Sequence, residues 1–388
     1  MLKVFLYMSS AFHNAYRHMA DNAPTGFEVT RSEFMAHAGA VGSGGMLKGF
    51  LRRIQPAISP AYNDFLITLN RPKTRSFPGT DYDLIHSGQS LLKTEVPYVV
   101  DFEHAAVFSG YNQYAFGKEG FRKALKKLML DKKLRKLMPW TNAARESLLN
   151  FINDRELGEK VETVYPVMTP PEKIEREKHD GVNFFFVGGA FYEKGAYDAV
   201  LAFDSISSKY DATLTIVSDA PEEVVRKFGH NQRIRFLGKK PYEEVKKLYL
   251  ESDAFVFPTH YDTFGFVIPE AFSYALPVIS VDSFSTPELV EHGRTGLLVK
   301  SYYSSFLPDR SYRYETMGEL GRRRLKDCKN PTEEYLKELS GAMERLILDG
   351  RLMRRMSGNA RKEALAGKFS PKVWKRKMGR IYGEALRN

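Results

Sequence analysis

Residues 253–279, DAFVFPTHYDTFGFVIPEAFSYALPVI, constrain this chain more than any other stretch. Ala254–Phe257 is a short continuous apolar run of the kind that forms a buried strand. A polar turn follows, then a helix expected to open near Gly265 and to carry Glu270. A strand that passes through a tight turn into a helix is the repeating unit of parallel sheets with crossover helices. The alternation continues in both directions. Strands are expected at Lys3–Met8, Glu28–Thr30, Asp64–Thr68, Asp83–His86 and Tyr98–Phe102 in the first half, with a helix near Asn14–Asn22. In the second half Asn183–Gly188, Thr213–Ser218, Arg233–Leu237 and Val278–Val281 read as strands between helices. No fixed short repeat is visible, so the sequence predicts an α/β chain with two doubly wound halves.

The turn inside 253–279 carries the chemistry. Asp262 and Glu270 bracket it with seven residues between them. Amides at a helix start are unpaired and lie at the positive end of the macrodipole, so they suit phosphate. Gly265 permits close approach of a ligand to the backbone. A carboxylate on either side can accept hydrogen bonds from sugar hydroxyls, so the arrangement suits a nucleotide-sugar.

These residues resemble the retaining, nucleotide-sugar-dependent glycosyltransferases of the GT-B fold. The family pattern is an acidic residue, seven residues, then Glu, with Phe-Gly after the acid and Leu-Pro-Val-Ile closing the unit. It stands here as Asp262, Phe264-Gly265, Glu270 and Leu276-Pro277-Val278-Ile279. The first acid is usually Glu, and Asp is one methylene shorter. The family's Val-Gly-Arg followed by Lys-Gly stands as Gly188-Gly189 and Lys194-Gly195, so glycine occupies the arginine position. An Arg fork holds two phosphate oxygens at once, and each lost hydrogen bond to a charged group costs about 1.5–3 kcal/mol. Lys48 or Arg52, after the glycines at 42, 44 and 45, is the candidate substitute.

The resemblance implies two Rossmann-like domains facing a central cleft: 1–168 on the acceptor side, 169–365 on the donor side, and a helix at 366–388 crossing back to the first. The linker is the proline- and charge-rich run from Tyr165 to Gly181. It also implies a hexosyltransferase that retains anomeric configuration and takes a UDP-, GDP- or ADP-sugar, with no cofactor and no metal. Lys194 would bind the diphosphate with Gly188 and the Phe264, Gly265, Phe266 and Val267 segment. Asp262 would hold the hexose and Glu270 the ribose, while Phe236–Lys240 would frame the base. His104, just past the strand Tyr98–Phe102, would orient the sugar, with His86, Asp101 and Glu103 on the same rim. Alternative readings are another GT-B enzyme such as a nucleotide-sugar epimerase, or a weak sugar-nucleotide-binding subunit.

Composition bears on location and partners. A hydrophobic share of 43% with 27% charged residues is that of a globular chain. The single Cys328 fits a reducing cytoplasm, and no apolar run reaches the ~20 residues that span a bilayer. The net charge of +11 points to anionic partners. Nine basic residues fall between Lys118 and Lys136 against Glu119 and Asp131, with Phe121, Leu125, Leu128, Met129, Leu134 and Leu137 at helical spacing. One basic amphipathic helix over 118–137 is expected, either lying on an anionic membrane or packing its apolar stripe on the chain's own sheet. A lipid-linked or glycan acceptor would suit the former. Nucleic acid is disfavoured because no reading motif accompanies the charge. Residues 300–329, rich in Tyr and Arg, break the alternation and read as an insertion.

Overall fold

A computed structural model describes residues 1–8, 14–31, 69–176, 179–313 and 325–387. The strand expected at 64–68, the glycine loop with Lys48 and Arg52, and residues 314–324 lie outside the described residues. The chain divides into two compact units. Unit 1 comprises Met1–Val167, Pro308–Met317 and Lys372–Asn388; unit 2 comprises Met168–Leu307 and Gly318–Pro371. Each is a Rossmann-like parallel sheet with crossover helices.

In unit 1 the strands are β1 (Leu2–Met8), β2 (Phe27–Arg31), β3 (Thr74–Ser76), β4 (Leu84–Gly88), β5 (Leu91–Lys93), β6 (Tyr98–Phe102) and β7 (Leu134–Pro139). Among the described residues the main sheet runs β2-β1-β4-β6-β7, all parallel, with β3 and β5 as a separate parallel pair. The central strands β4 and β6 are buried along their whole length. Such strands are covered on both faces; β6 is accordingly apolar except at Asp101, while β4 carries the buried His86 and Ser87. Helix α1 (Asn14–Asp21) follows β1, and α2 (Glu119–Met129) precedes β7.

The 118–137 stretch is not one helix. Helix α2 ends at Met129, and the Asp131 side chain accepts the Lys133 amide at 2.7 Å, turning the chain into β7. Phe121, Leu125 and Met129 are fully buried in the core of unit 1, and so are Leu134 and Leu137 on the strand. No apolar stripe remains to enter a membrane, and the exposed residues of α2 are Glu119, Gly120, Lys123 and Lys127. The helical spacing from Met129 to Leu137 was a coincidence of two buried elements meeting across a turn. No described helix is long and apolar enough to cross a membrane.

Helices α3 (Asn142–Leu149) and α4 (Arg155–Lys160) complete the middle of unit 1. The terminal helix α12 (Pro371–Arg387) packs Trp374, Met378, Ile381 and Tyr382 inward from Lys372 on.

Unit 2 holds β8 (Val182–Val187), β9 (Ala212–Val217), β10 (Ile234–Phe236), β11 (Ala254–Phe257), β12 (Val278–Val281) and β13 (Gly296–Val299). Its helices are α5 (Ala196–Ser207), α6 (Glu222–Phe228), α7 (Tyr242–Leu250), α8 (Val267–Ser273), α9 (Thr286–Leu289), α10 (Glu333–Leu348) and α11 (Gly350–Ala366). The strand order is β10-β9-β8-β11-β12-β13, all parallel. Strand order therefore reverses between β8 and β11. In open α/β sheets ligands bind outside the carboxyl ends of the strands at such a switch point. The loops leaving β8 and β11 are those that carry Lys194 and Asp262.

Gly195 shows how closely these loops pass. Its φ is +80°, and a Cβ there would sit 2.1 Å from the Pro258 carbonyl oxygen. Only glycine satisfies both demands.

Candidate functional site

The site in unit 2 is assembled from the loops after β8 and β11 and the first turn of α8. The chain leaves β8 through Gly188, where a Cβ would crowd the Lys194 Cβ at 3.1 Å. The Lys194 amide donates to Ala190 O at 2.8 Å, closing a turn that points the side chain at the neighbouring loop. Lys194 Nζ donates to Asp262 Oδ2 at 2.7 Å and to Tyr261 O at 2.8 Å. Both side chains are mostly but not wholly buried, at 24% and 16% exposure, so the pair remains open to a ligand.

Asp262 does two things with its two oxygens. Oδ2 meets Lys194, while Oδ1 accepts the amides of Gly265 at 2.7 Å and Phe264 at 3.2 Å. A short acidic side chain closing on amides two and three residues ahead is a local cap on the turn. That gives the departure from Glu to Asp a physical reason. The Gly265 amide, expected to face the donor, donates to Asp262 in this state. Gly265 has φ +81°, which the turn requires. Phe264 is buried, its ring 4.6 Å from that of Phe266 and 6.1 Å from that of Phe369. Its ring is part of the core of unit 2. Phe266 and Val267 are half-buried at the start of α8.

Glu270 lies in the first turn of α8, half-buried. Burial pushes its carboxyl up to about 7, against the opposing effect of hydrogen bonds from Tyr249 and Tyr242. Tyr249 donates to Oε2 at 3.3 Å and stacks on Tyr274 at 5.0 Å. A carboxylate held by two phenols is fixed in place and still titrates near neutrality.

Sequence reasoning did not find His260 and Asp198. Both are fully buried, with His260 Nε2 2.8 Å from Asp198 Oδ2, which also accepts the Tyr335 hydroxyl at 3.0 Å. The His260 amide donates to Glu193 O at 2.9 Å, so this residue ties the Asp262 loop to the Lys194 loop. The signal was there in the spacing, since His260 precedes Asp262 by two residues and Asp198 follows Lys194 by four. Only the fold shows that they pair.

Gly189, at the position where arginine was expected, has nothing within 4 Å of an added Cβ. The space for a longer side chain exists. Lys48 and Arg52 lie outside the described residues.

The histidines singled out from the sequence, His86 and His104, belong to unit 1. His104 is fully buried and caps the short 3-10 helix Ala105–Ser109. Its Nδ1 accepts the Ala106 amide at 3.0 Å, and Nε2–H donates to Arg310 O at 2.8 Å. Tyr312 lies 4.3 Å from the ring. Burial holds the imidazole down at about 4, outweighing the carbonyl it donates to. The segment around Arg310 is thus a structural part of unit 1, with Arg310 Nε 2.8 Å from Glu146. That gives part of the apparent insertion at 300–329 a role. His86 bridges Asp101 at 2.9 Å and Tyr382 at 2.7 Å, and Asp101 also accepts from Tyr16 and Trp140. Glu103 accepts the Tyr111 hydroxyl at 2.5 Å.

Residues 171–319 match the profile of the family described as glycosyl transferases group 1. The match spans 149 of the 388 residues, so this segment is similar to the group 1 glycosyl transferases. It contains Lys194, Asp262 and Glu270. An uncharacterized glycosyltransferase of Methanocaldococcus jannaschii is 27% identical over 178 residues, 41% of this chain and 45% of the relative. The N-acetyl-alpha-D-glucosaminyl L-malate synthase of Bacillus anthracis is 34% identical over 110 residues, 27% of this chain and 28% of the relative. The chain spans less than half the length of these curated relatives. Among solved structures, Anabaena HepE in complex with UDP-glucose superposes with a TM-score of 0.60 at 14% identity, covering 99% of this chain and 100% of that one. Sucrose-phosphate synthase from Thermosynechococcus elongatus gives 0.59 at 16%, covering both chains fully. These likenesses show the fold, which is GT-B. The matched segment lies almost wholly in unit 2.

Proposed function

We propose that this protein is a retaining glycosyltransferase that moves a hexosyl unit from a nucleoside diphosphate sugar to a hydroxyl acceptor. The observation that carries the reading is the Lys194–Asp262 pair at the switch point of the unit 2 sheet, with Glu270 one turn into α8. The complex of Anabaena HepE with UDP-glucose supports the donor class.

In this reading the donor diphosphate replaces Asp262 as the partner of Lys194. Negative charge grows on the leaving diphosphate as the glycosidic bond breaks, and a fixed cation there stabilises the transition state. Release of Asp262 Oδ2 makes it an acceptor for hexose hydroxyls, while Oδ1 keeps the turn closed. Glu270, ionised, accepts the ribose hydroxyls. The departing phosphate oxygen takes the acceptor proton on the same face, which gives retention. The buried His260–Asp198 pair holds both loops in register and touches no substrate.

His104 has a changed assignment. With both ring nitrogens committed inside unit 1, it acts as a positioning residue for the segment after β6. The membrane proposal changes likewise, because α2 offers charge without an apolar stripe. Any hold on an anionic surface is electrostatic and salt-sensitive.

The experiment is a screen of UDP-, GDP- and ADP-hexoses with glycan and lipid-linked acceptors, reading released nucleoside diphosphate and the anomeric configuration of the product by NMR. Transfer with retention supports the reading. Donor binding without transfer to any acceptor, or an inverted product, would overturn it.

A further inference from the structure

A cavity of about 500 Å³ opens in unit 1, and none of its lining belongs to the donor residues assigned above. Its walls come from three elements and a turn: Leu134, Arg135 and Lys136 on β7, Glu156 and Lys160 on α4, Ile381 on α12, and Lys132 in the turn before β7.

The charges on these walls are only partly compensated. Arg135 is half-buried, and its Nε is shielded from solvent with no hydrogen-bond partner. Lys160 Nζ donates to three backbone carbonyls, those of Met129, Asp131 and Leu134, at 3.3, 3.0 and 3.0 Å. Carbonyls fix the ammonium but do not neutralise it. Among the described residues, no carboxylate lies within ion-pair distance of Arg135, Lys132 or Lys160. The carboxylates on the same walls are largely engaged elsewhere. Glu384 is held by Arg380 at 3.0 Å through both oxygens, and Glu159 faces Arg155 at 3.4 Å. Three cations therefore stand against two carboxylates, Glu156 and Asp131, whose charges act on Lys160 without forming an ion pair with it.

A guanidinium nitrogen removed from water without an acceptor is unfavourable, and an incoming oxyanion relieves it. The three cations project from a turn, a strand and a helix. That spread suits a group with several oxygens out of one plane, which is a phosphate and not a planar carboxylate. Leu130, Leu134, Ile381 and Ala385 supply apolar wall beside the charges. The volume exceeds what a phosphate alone would fill.

We propose that unit 1 carries a second ligand site, built on Arg135, Lys132 and Lys160, for a phosphate ester borne on a larger body. A free phosphorylated sugar and a phospholipid headgroup share that chemistry. The inference does not rest on the transferase reading, because it concerns binding to residues outside the matched segment.

The test uses the full chain carrying Lys194→Ala, which removes the donor-site cation from the comparison. Glucose 6-phosphate and inorganic pyrophosphate are titrated calorimetrically, and vesicles of phosphatidylcholine with and without phosphatidic acid are tested by sedimentation. Arg135→Gln with Lys132→Gln is expected to weaken binding by at least about tenfold, as loss of charge-assisted bonds requires. Dependence confined to the soluble probes identifies a free phosphate ester, and dependence confined to vesicles identifies a headgroup; both support the site. Equal affinity in parent and variant, or no binding of any probe at millimolar concentration, overturns it. Lys132 is exposed, so Lys132→Glu alone keeps the fold and must also weaken binding if the double variant unfolds.

Discussion

Units 1 and 2 place polar residues at the same kind of position, the carboxyl ends of parallel strands, and use them in opposite ways. In unit 1, His86 lies within β4, Asp101 near the end of β6 and His104 just past it, and all are buried and bonded within the unit. In unit 2, Lys194, Asp262 and Glu270 keep part of their surface exposed, and Lys194 meets its partner in a bond that a ligand can exchange. A strand end is thus a place where side chains converge. Whether they meet a ligand depends on what covers them, which for His104 is the segment bearing Arg310 and Tyr312.

The contrast breaks most visibly at Lys194. Lys194→Ala should lower kcat/KM by roughly 100-fold or more, as removal of a fixed charge at a leaving group does, without a matching loss of Tm. His86→Ala should do the reverse, lowering Tm while the folded fraction turns over normally. Equal activity losses in the two variants would end the distinction between the units.

Opposite pH responses come next. His104 sits down at about 4 against an ordinary 6.5, so its contribution is complete above 6.5 and lost as pH falls towards 4. Glu270 is raised from 4.5 to about 7, so its contribution is complete below 4.5 and lost as pH rises through 7. Each shift corresponds to about 3 kcal/mol at most. Urea unfolding from pH 4 to 8 should show unit 1 weakening in acid, a trend removed by His104→Phe if that variant folds. Glu270→Gln should remove the opposite trend from unit 2. The same titration should make donor binding tighten from pH 6 to 8, since the ionised carboxylate is the better acceptor of hydroxyls.

Gly189→Arg sharpens the view of unit 2. Space is open around the position, so the added cation should tighten nucleoside diphosphate binding by about tenfold, within the range of one charge-assisted hydrogen bond. Unchanged affinity by calorimetry would mean that the diphosphate lies beyond reach of residue 189. Smallest is Tyr382→Phe, which removes the hydroxyl 2.7 Å from His86. About 1 kcal/mol of stability should go, with donor affinity unchanged.

How far the sequence is readable varies with the kind of signal. Strands β6, β11 and β12 match the runs Tyr98–Phe102, Ala254–Phe257 and Val278–Val281 residue for residue, because strands buried on both faces are apolar at most positions and so stand out from the polar turns around them. The stretch 118–137 misled because a buried helix and a buried strand happen to keep helical spacing across the Asp131 turn. Helices α10 and α11 stand outside the strand–helix alternation, and no pattern in 253–279 bears on them. At the site, Lys194, Asp262 and Glu270 were readable because each lies within a short motif. His260 and Asp198 were not, since they are 62 residues apart and meet only in the fold.

By itself the sequence determined the α/β class, the parallel strands and which residues are candidates for the donor side, all of which depend on local apolar periodicity and on spacing within one turn. Only the tertiary structure decided that Asp262 caps its own turn while pairing with Lys194. It also decided that His104 is sealed by a segment some two hundred residues away, and that Arg135 and Lys160 share a cavity. Those outcomes depend on which distant side chains remove water from a given group, and burial of that kind is a property of packed elements and not of neighbours along the chain.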